Sequence, residues 1–178
     1  ATSPTRLAVR APAGWKLSVD NIGEQQLLAI SPDGSQLVFV ARSGQHQQLF
    51  RRGLDSYECQ PLAGTEDGIS PFFAPDGLWL GYVANGKLRK VALSGGIPVD
   101  LCEAGTYRGG TWGPDGTIVF SPTTTSGLMR VSSNGGTPTA LTHLDPERKE
   151  RSHRWPCFMP DGKEVAFISA GRKAFLDA

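Results

Sequence analysis

Cysteine is scarce in this chain, helical periodicity is missing, and no apolar run is long. Three cysteines, Cys59, Cys102 and Cys157, occur in 178 residues without a Cys-x-x-Cys pair. That spacing speaks against a structural zinc site, and the odd count leaves at least one thiol unpaired within the chain. All three are expected as small buried hydrophobes. No segment approaches the ~18 continuous apolar residues of a spanning helix, so no membrane insertion is expected. Charge of one sign is not in excess: 18 Lys and Arg stand against 17 Asp and Glu, which removes the electrostatic case for nucleic acid. A Gly-x-Ser-x-Gly nucleophile elbow and a Gly-x-x-x-x-Gly-Lys-Ser/Thr phosphate loop are both absent. No catalytic residue, metal or cofactor is therefore expected. No signal peptide is visible, and Ala1 reads as a trimmed or processed start.

What the chain has instead is a repeat. Ser31-Pro32-Asp33-Gly34 precedes Leu37-Val38-Phe39-Val40. Ala74-Pro75-Asp76-Gly77 precedes Leu80-Gly81-Tyr82-Val83. Gly113-Pro114-Asp115-Gly116 precedes Ile118-Val119-Phe120, and Met159-Pro160-Asp161-Gly162 precedes Val165-Ala166-Phe167-Ile168. The prolines are 43, 39 and 46 residues apart. Self-similarity at that period points to a repeat architecture. Proline presets φ at the second turn position, Asp suits the third and Gly tolerates the fourth, so each tetrapeptide is a β-turn between two strands. The same argument explains the four aspartates without metal or acid–base chemistry. Gly 22 and Pro 13 are high, and turn signals recur about every 8–12 residues, which makes the chain all-β.

Further strands complete each unit. In repeat one the strands are expected at 26–30, 36–41, 49–54 and 58–62. In repeat two, Asn85-Gly86 marks a two-residue hairpin after 78–84. Gly95-Gly96 and Gly135-Gly136 each lead into a matched segment, Ile97-Pro98-Val99-Asp100-Leu101 and Thr137-Pro138-Thr139-Ala140-Leu141. Proline there suits an outer edge strand, where a missing N–H costs no ladder bond. The fourth repeat has only 154–158, the turn and 163–169, with Ala174-Phe175-Leu176 as the start of a third strand. Residues 1–23 form a lead-in with a candidate strand at Leu7–Arg10. The repeats run over 24–178, as 24–64, 65–104, 105–143 and 152–178. The mixed charge run Asp145–Arg151 is expected as an exposed loop.

Four antiparallel strands per unit of about 43 residues is the pattern of a β-propeller blade. The x-Pro-Asp-Gly turn followed by an aliphatic–aromatic strand resembles the TolB-like, or PD40 (WD40-like), propeller repeat. WD40 proper fits less well, because its Gly-His and Trp-Asp signatures are missing. Arg6-Leu7-Ala8-Val9, Asn85-Gly86-Lys87-Leu88-Arg89-Lys90-Val91, Arg108-Gly109-Gly110-Thr111-Trp112-Gly113-Pro114-Asp115 and Ser152-His153-Arg154-Trp155-Pro156 resemble the extracytoplasmic propeller of bacterial eukaryotic-like receptor serine/threonine kinases. This resemblance implies a periplasmic or extracytoplasmic module. No His-Arg-Asp, Asp-Phe-Gly or Gly-rich kinase loop is in the chain, so no kinase activity comes with it.

Three complete blades and part of a fourth do not close a ring of about 4–8. Either the chain is a fragment of a larger propeller, or two chains form one ring as a homodimer. The lead-in strand would then complete the partner's fourth blade. Two clusters enter innermost strands and are the binding candidates at the channel mouth: Tyr107, Arg108 and Trp112, and His153, Arg154 and Trp155. Arginine beside aromatics suits anionic or peptide ligands. The plainer account has Trp112 and Trp155 packing between blades and Arg108 and Arg154 bonded to nearby backbone. The expected function is non-catalytic: a sensor or scaffold propeller that binds a protein, peptide or small ligand. The alternative is a propeller enzyme, or the gating propeller of a peptidase, working through the central channel.

Overall fold

The structure, a computed structural model, describes residues 8–18 and 25–171. Fifteen strands and no helix make up these residues, and they form four successive antiparallel sheets. The first comprises β1 (Lys16–Leu17), β2 (Leu28–Ile30), β3 (Gln36–Ser43), β4 (His46–Gly53) and β5 (Gln60–Glu66). The second is β6 (Ile69–Phe73), β7 (Trp79–Ala84), β8 (Lys87–Ala92) and β9 (Val99–Glu103). The third is β10 (Gly110–Trp112), β11 (Thr117–Phe120), β12 (Met129–Ser132) and β13 (Thr139–Ala140). The fourth is the pair β14 (Glu150–Phe158) and β15 (Val165–Gly171). The expected strand at 174–176 lies outside the described residues.

Every Pro-Asp-Gly tetrapeptide closes the same turn. The glycine N–H returns to the carbonyl three residues earlier at Gly34, Gly77, Gly116 and Gly162. Each aspartate accepts the N–H two residues on, at Ser35, Leu78, Thr117 and Lys163. The four glycines have φ between 69° and 81°, a left-handed conformation that only glycine adopts at no steric cost. Bonds from Ser31, Ser35 and the Ser35 N–H hold the Asp33 carboxyl down to about 2.

Period-2 alternation decides the packing between sheets. Along β7, Leu80, Tyr82 and Ala84 face back onto Val38, Val40, Leu49 and Leu62 of the first sheet. Val83 faces forward, with Phe72, Leu88 and Leu101, onto Ile118, Phe120 and Val131 of the third. Each blade thus buries its back face on the front of the one before it.

The lead-in differs from its expected strand. Ala8–Arg10 are not in a ladder, and Leu7 lies outside the described residues. Instead the Arg52 guanidinium takes the Ala8 carbonyl at 3.0 Å, so this backbone is served by a side chain. Val9, Ala11, Trp15 and Leu17 cover Leu37, Phe39, Ala41 and Phe50 on the back of the first sheet. The Trp15 ring meets Phe50 edge-on at 4.9 Å. These lead-in side chains stand where the front face of a preceding blade stands at the later junctions. At the other end of the arc, Phe167 and Ile168 of β15 are exposed, the latter at 57%.

Candidate binding site at the junction of the third and fourth blades

Three of the four inner strands carry a kink. Five residues before the turn proline, Ser70, Gly109 and Trp155 have φ of 51°, 98° and 54°. The ladder slips at this point between Ile69 and Phe72, and again between Arg154 and Cys157. Glycine adopts this conformation freely, whereas a tryptophan there is an outlier that stores strain. Surrounding contacts hold Trp155 in place. Its N–H donates to the Arg108 carbonyl at 2.9 Å. Its ring lies over Gly109 so closely that a Cβ on that glycine would come within 2.8 Å of Trp155 Cε3. Gly109 is therefore required twice, by its φ and by its neighbour.

The two arginines flank this contact. Arg108 Nη1 donates to the carbonyls of Thr106 and Tyr107, both at 2.9 Å. Arg154 Nε donates to Ser152 Oγ at 2.7 Å, and its Nη2 to the Thr124 carbonyl at 3.3 Å. Both side chains remain half-buried. Arg148 and Lys149 of the preceding connection and Arg151 of β14 are exposed, and a cavity of about 450 Å³ is lined by Pro146, Lys149, Glu150 and Arg151. Asp145 offsets part of this positive charge through Arg148 at 3.4 Å.

Of the six residues singled out in the sequence, Arg108, Arg154 and Trp155 come together. Tyr107 instead sits in the core between the second and third blades, 4% exposed, with no hydrogen-bond partner for its hydroxyl among the described residues. Burial pushes its pKa far up. Trp112 packs edge-on against Phe72 at 6.4 Å. His153 is buried at 3% and serves a different cluster.

That cluster was not legible in the sequence. His153 Nδ1 lies 2.7 Å from Thr142 Oγ1, and Nε2 lies 3.0 Å from Glu150 Oε2. The Glu150 carboxylate can only accept, so Nε2 carries the proton it receives, and the Thr142 hydroxyl, which accepts the Leu128 N–H, donates its own proton to Nδ1 of the neutral imidazole. Glu150 also accepts the Asp145 N–H and the Ser169 hydroxyl. Led by the Asp145 bond, these three hold its carboxyl down to about 2. Phe167 closes the far side of the imidazole, with ring centroids 4.5 Å apart. A hydroxyl, an imidazole and a carboxylate in series have the order of a nucleophilic triad. Here the imidazole is enclosed and the hydroxyl is engaged with backbone, so the series ties the fourth blade to the third. Glu150 corrects the reading of 145–151 as a solvated loop: its carboxylate turns inward, because the start of β14 carries it under Asp145 and Ser169. No group of three or more His, Cys, Asp or Glu among the described residues is placed to hold a metal ion.

No family model matches the chain, and no curated protein matches it. Solved structures do. A putative TolB from Agrobacterium tumefaciens superposes with a TM-score of 0.70 at 18% identity, over 83% of this chain and 55% of that one. The chain has a β-propeller fold. TolB from Acinetobacter baumannii gives a TM-score of 0.59 at 20% identity, over 83% of this chain and 37% of its own. A structure of the nidogen/laminin complex gives 0.63 at 14% identity, over 81% of this chain and 56% of that one. The beta-propeller domain of Myceliophteria thermophila Cps50 (Swd1) is also similar, with a TM-score of 0.62 at 13% identity over 84% of this chain and 52% of that one. The arc spans about half the length, or less, of the TolB chains it matches.

Proposed function

We propose that this arc is a non-catalytic binding segment of a larger periplasmic or extracytoplasmic propeller, as in a receptor-type protein, and that it takes an acidic peptide or protein segment at the mouth between its third and fourth blades. The observation that carries the reading is Trp155. A bulky aromatic is held in a left-handed conformation over Gly109, its N–H on the Arg108 carbonyl and its chain neighbour Arg154 half-buried, on the strand that also carries the exposed Arg151. Stored strain of this kind clusters where ligands are held. Half-buried guanidinium groups beside an aromatic face suit carboxylates and peptide carbonyls. The similarity to TolB and to the nidogen/laminin complex is one of fold, and it supports a binding propeller without naming a ligand.

A peptide-display selection against the full chain tests this. Enriched peptides should be rich in Asp and Glu, and their binding should fall at least tenfold with Arg154→Ala and drop as salt rises. Selected peptides without acidic bias, or with affinities untouched by Arg154→Ala, would refute it. The reading includes a larger ring, since Ile168 is left open where a further blade packs in a closed propeller. The molar mass in solution by light scattering tells whether a second copy of this chain supplies that blade.

A further inference from the structure

A cavity of about 590 Å³ opens between the second and third blades, beside their Pro-Asp-Gly turns. The strand register sets its two walls. Trp79 pairs with Ala92 and Lys90 with Gly81, so both share with Val83 the face of the second sheet that turns to the third. Trp112 pairs with Ile118 and shares the opposing face of the third sheet. The two half-buried indoles therefore stand on opposite walls. The repeat does not ask for Trp79. Its carbonyl accepts the Ala74 N–H, and the residues that make the same bond in the other blades are polar: Gln36, Thr117 and Glu164. Lys90 is set apart in the same way. At its place in the first and third sheets, opposite Val38 and Val119, are Arg51 and Arg130. Arg51 donates to the Leu93 carbonyl and to Gln60, and Arg130 donates to Thr139. The Lys90 ammonium has no such acceptor among the described residues; it lies over the Trp79 ring, 4.8 Å from the centroid. Asp76 and Asn134 also line the cavity. The Asp76 carboxylate accepts the Leu78 N–H and is in no ion pair among the described residues. Asp76 and Lys90 are the only charged residues that line this space among the described residues, so its formal charge is balanced.

We infer that this cavity binds a neutral oligosaccharide through a glucose-type pyranose seated between Trp79 and Trp112. Two indole walls suit a flat ligand with apolar faces. The polar groups around them are of three kinds: Lys90 only donates, Asp76 only accepts, and the Asn134 amide does both. A simple anion meets Asp76, and a simple cation meets Lys90. A proline-rich segment would fill the walls, yet it brings only carbonyl acceptors and leaves Asp76 unused. A pyranose whose hydroxyls are all equatorial carries C–H groups on both faces and hydroxyls around its edge. Each hydroxyl donates and accepts, which matches the mixed set. The site shares no residue with the mouth between the third and fourth blades.

Cellotetraose is the probe, followed in the full chain by NMR at the indole N–H signals of Trp79 and Trp112, assigned with Trp79→Phe and Trp112→Phe. It is expected to shift both signals saturably. Sorbitol, which offers hydroxyls on an open chain without a flat C–H face, should shift neither. Lys90→Met keeps the aliphatic stem and removes the donor, and Asn134→Ala changes an exposed turn residue. Each should weaken cellotetraose about fivefold, the loss of one hydrogen bond. Three results would overturn the inference: no saturable shift from cellotetraose, an equal response to sorbitol, or an affinity that neither variant changes. Saturable shifts from decaproline in place of cellotetraose would also overturn it and assign the walls to a proline-rich partner. Arg154→Ala should leave cellotetraose binding intact, which separates this site from the one proposed above.

Discussion

Replacing Gly109 by alanine adds one methyl group at the point where the fourth blade meets the third. Two costs follow. At φ 98° a Cβ crowds its own backbone, for about 1–2 kcal/mol. The new Cβ would also lie 2.9 Å from the Trp155 Cα and 3.2 Å from its nitrogen, which are backbone atoms that cannot swing aside. Forcing them apart costs a further ~1–3 kcal/mol by the usual scale of overpacking. The sum is roughly 2–5 kcal/mol. Gly34→Ala is the control, because Gly34 has φ 72° and nothing within 4 Å of an added Cβ. It should show only the conformational part, about 1–2 kcal/mol. Urea unfolding followed by far-UV circular dichroism and by tryptophan fluorescence reads both variants. The fluorescence transition, which includes Trp155, should move more than the bulk signal in Gly109→Ala. If the two variants lose the same stability within about 0.5 kcal/mol, Trp155 is not seated over Gly109, and the account of the mouth falls with it.

Leu80→Ala, at a fully buried position between the first two blades, should cost about 2–5 kcal/mol in the same unfolding assay. Glu150 has a folded pKa near 2, below the ordinary 4.5, so its contribution is present above about pH 4.5 and is lost as pH falls toward 2. Thermal melts of the native chain should therefore weaken across that window, and Glu150→Gln should flatten the dependence; an unchanged slope would remove the tie between the blades. Cys157 is exposed, whereas burial raises the Cys102 thiol to about 11. A disulfide reagent at pH 8 should therefore give a fast phase that Cys157→Ser removes, and Cys102 should react far more slowly.

Much of the architecture was readable from residue order alone. A turn is a local device: proline, aspartate and glycine close it through bonds spanning two or three residues. The four tetrapeptides therefore announce four hairpins, and alternation along Leu37–Val40 and Leu80–Val83 announces faces buried on both sides. The strand limits differ by a few residues from expectation, and the inner-strand ladders of the second and fourth blades slip at the left-handed positions. Nothing in the composition of Ser70 or Trp155 signals that slip; only the spacing to the following proline repeats.

The site was less legible. Arg108, Arg154 and Trp155 met as their positions at the starts of inner strands suggested, since blades stack in sequence order. Tyr107 and Trp112 did not join them, because the alternation of the chain turns them into the interblade core. Thr142, Glu150 and His153 come from the end of one blade and the start of the next. A mixed charge run carries no mark of which carboxylate turns inward. The same holds for Arg52. Its burial depends on a lead-in about 40 residues earlier in the chain folding over the first blade.

The sequence by itself thus determined the repeat, the turns, the all-β class and the order of the blades, because those depend on steric preferences and periodicity within a few residues. Only the tertiary structure decided that the lead-in covers the first blade, that His153 links two blades through Thr142 and Glu150, and that Arg52 is buried against the Ala8 carbonyl of the lead-in. Those outcomes depend on which side chains lose water together, and that is set by contacts between segments far apart in the chain.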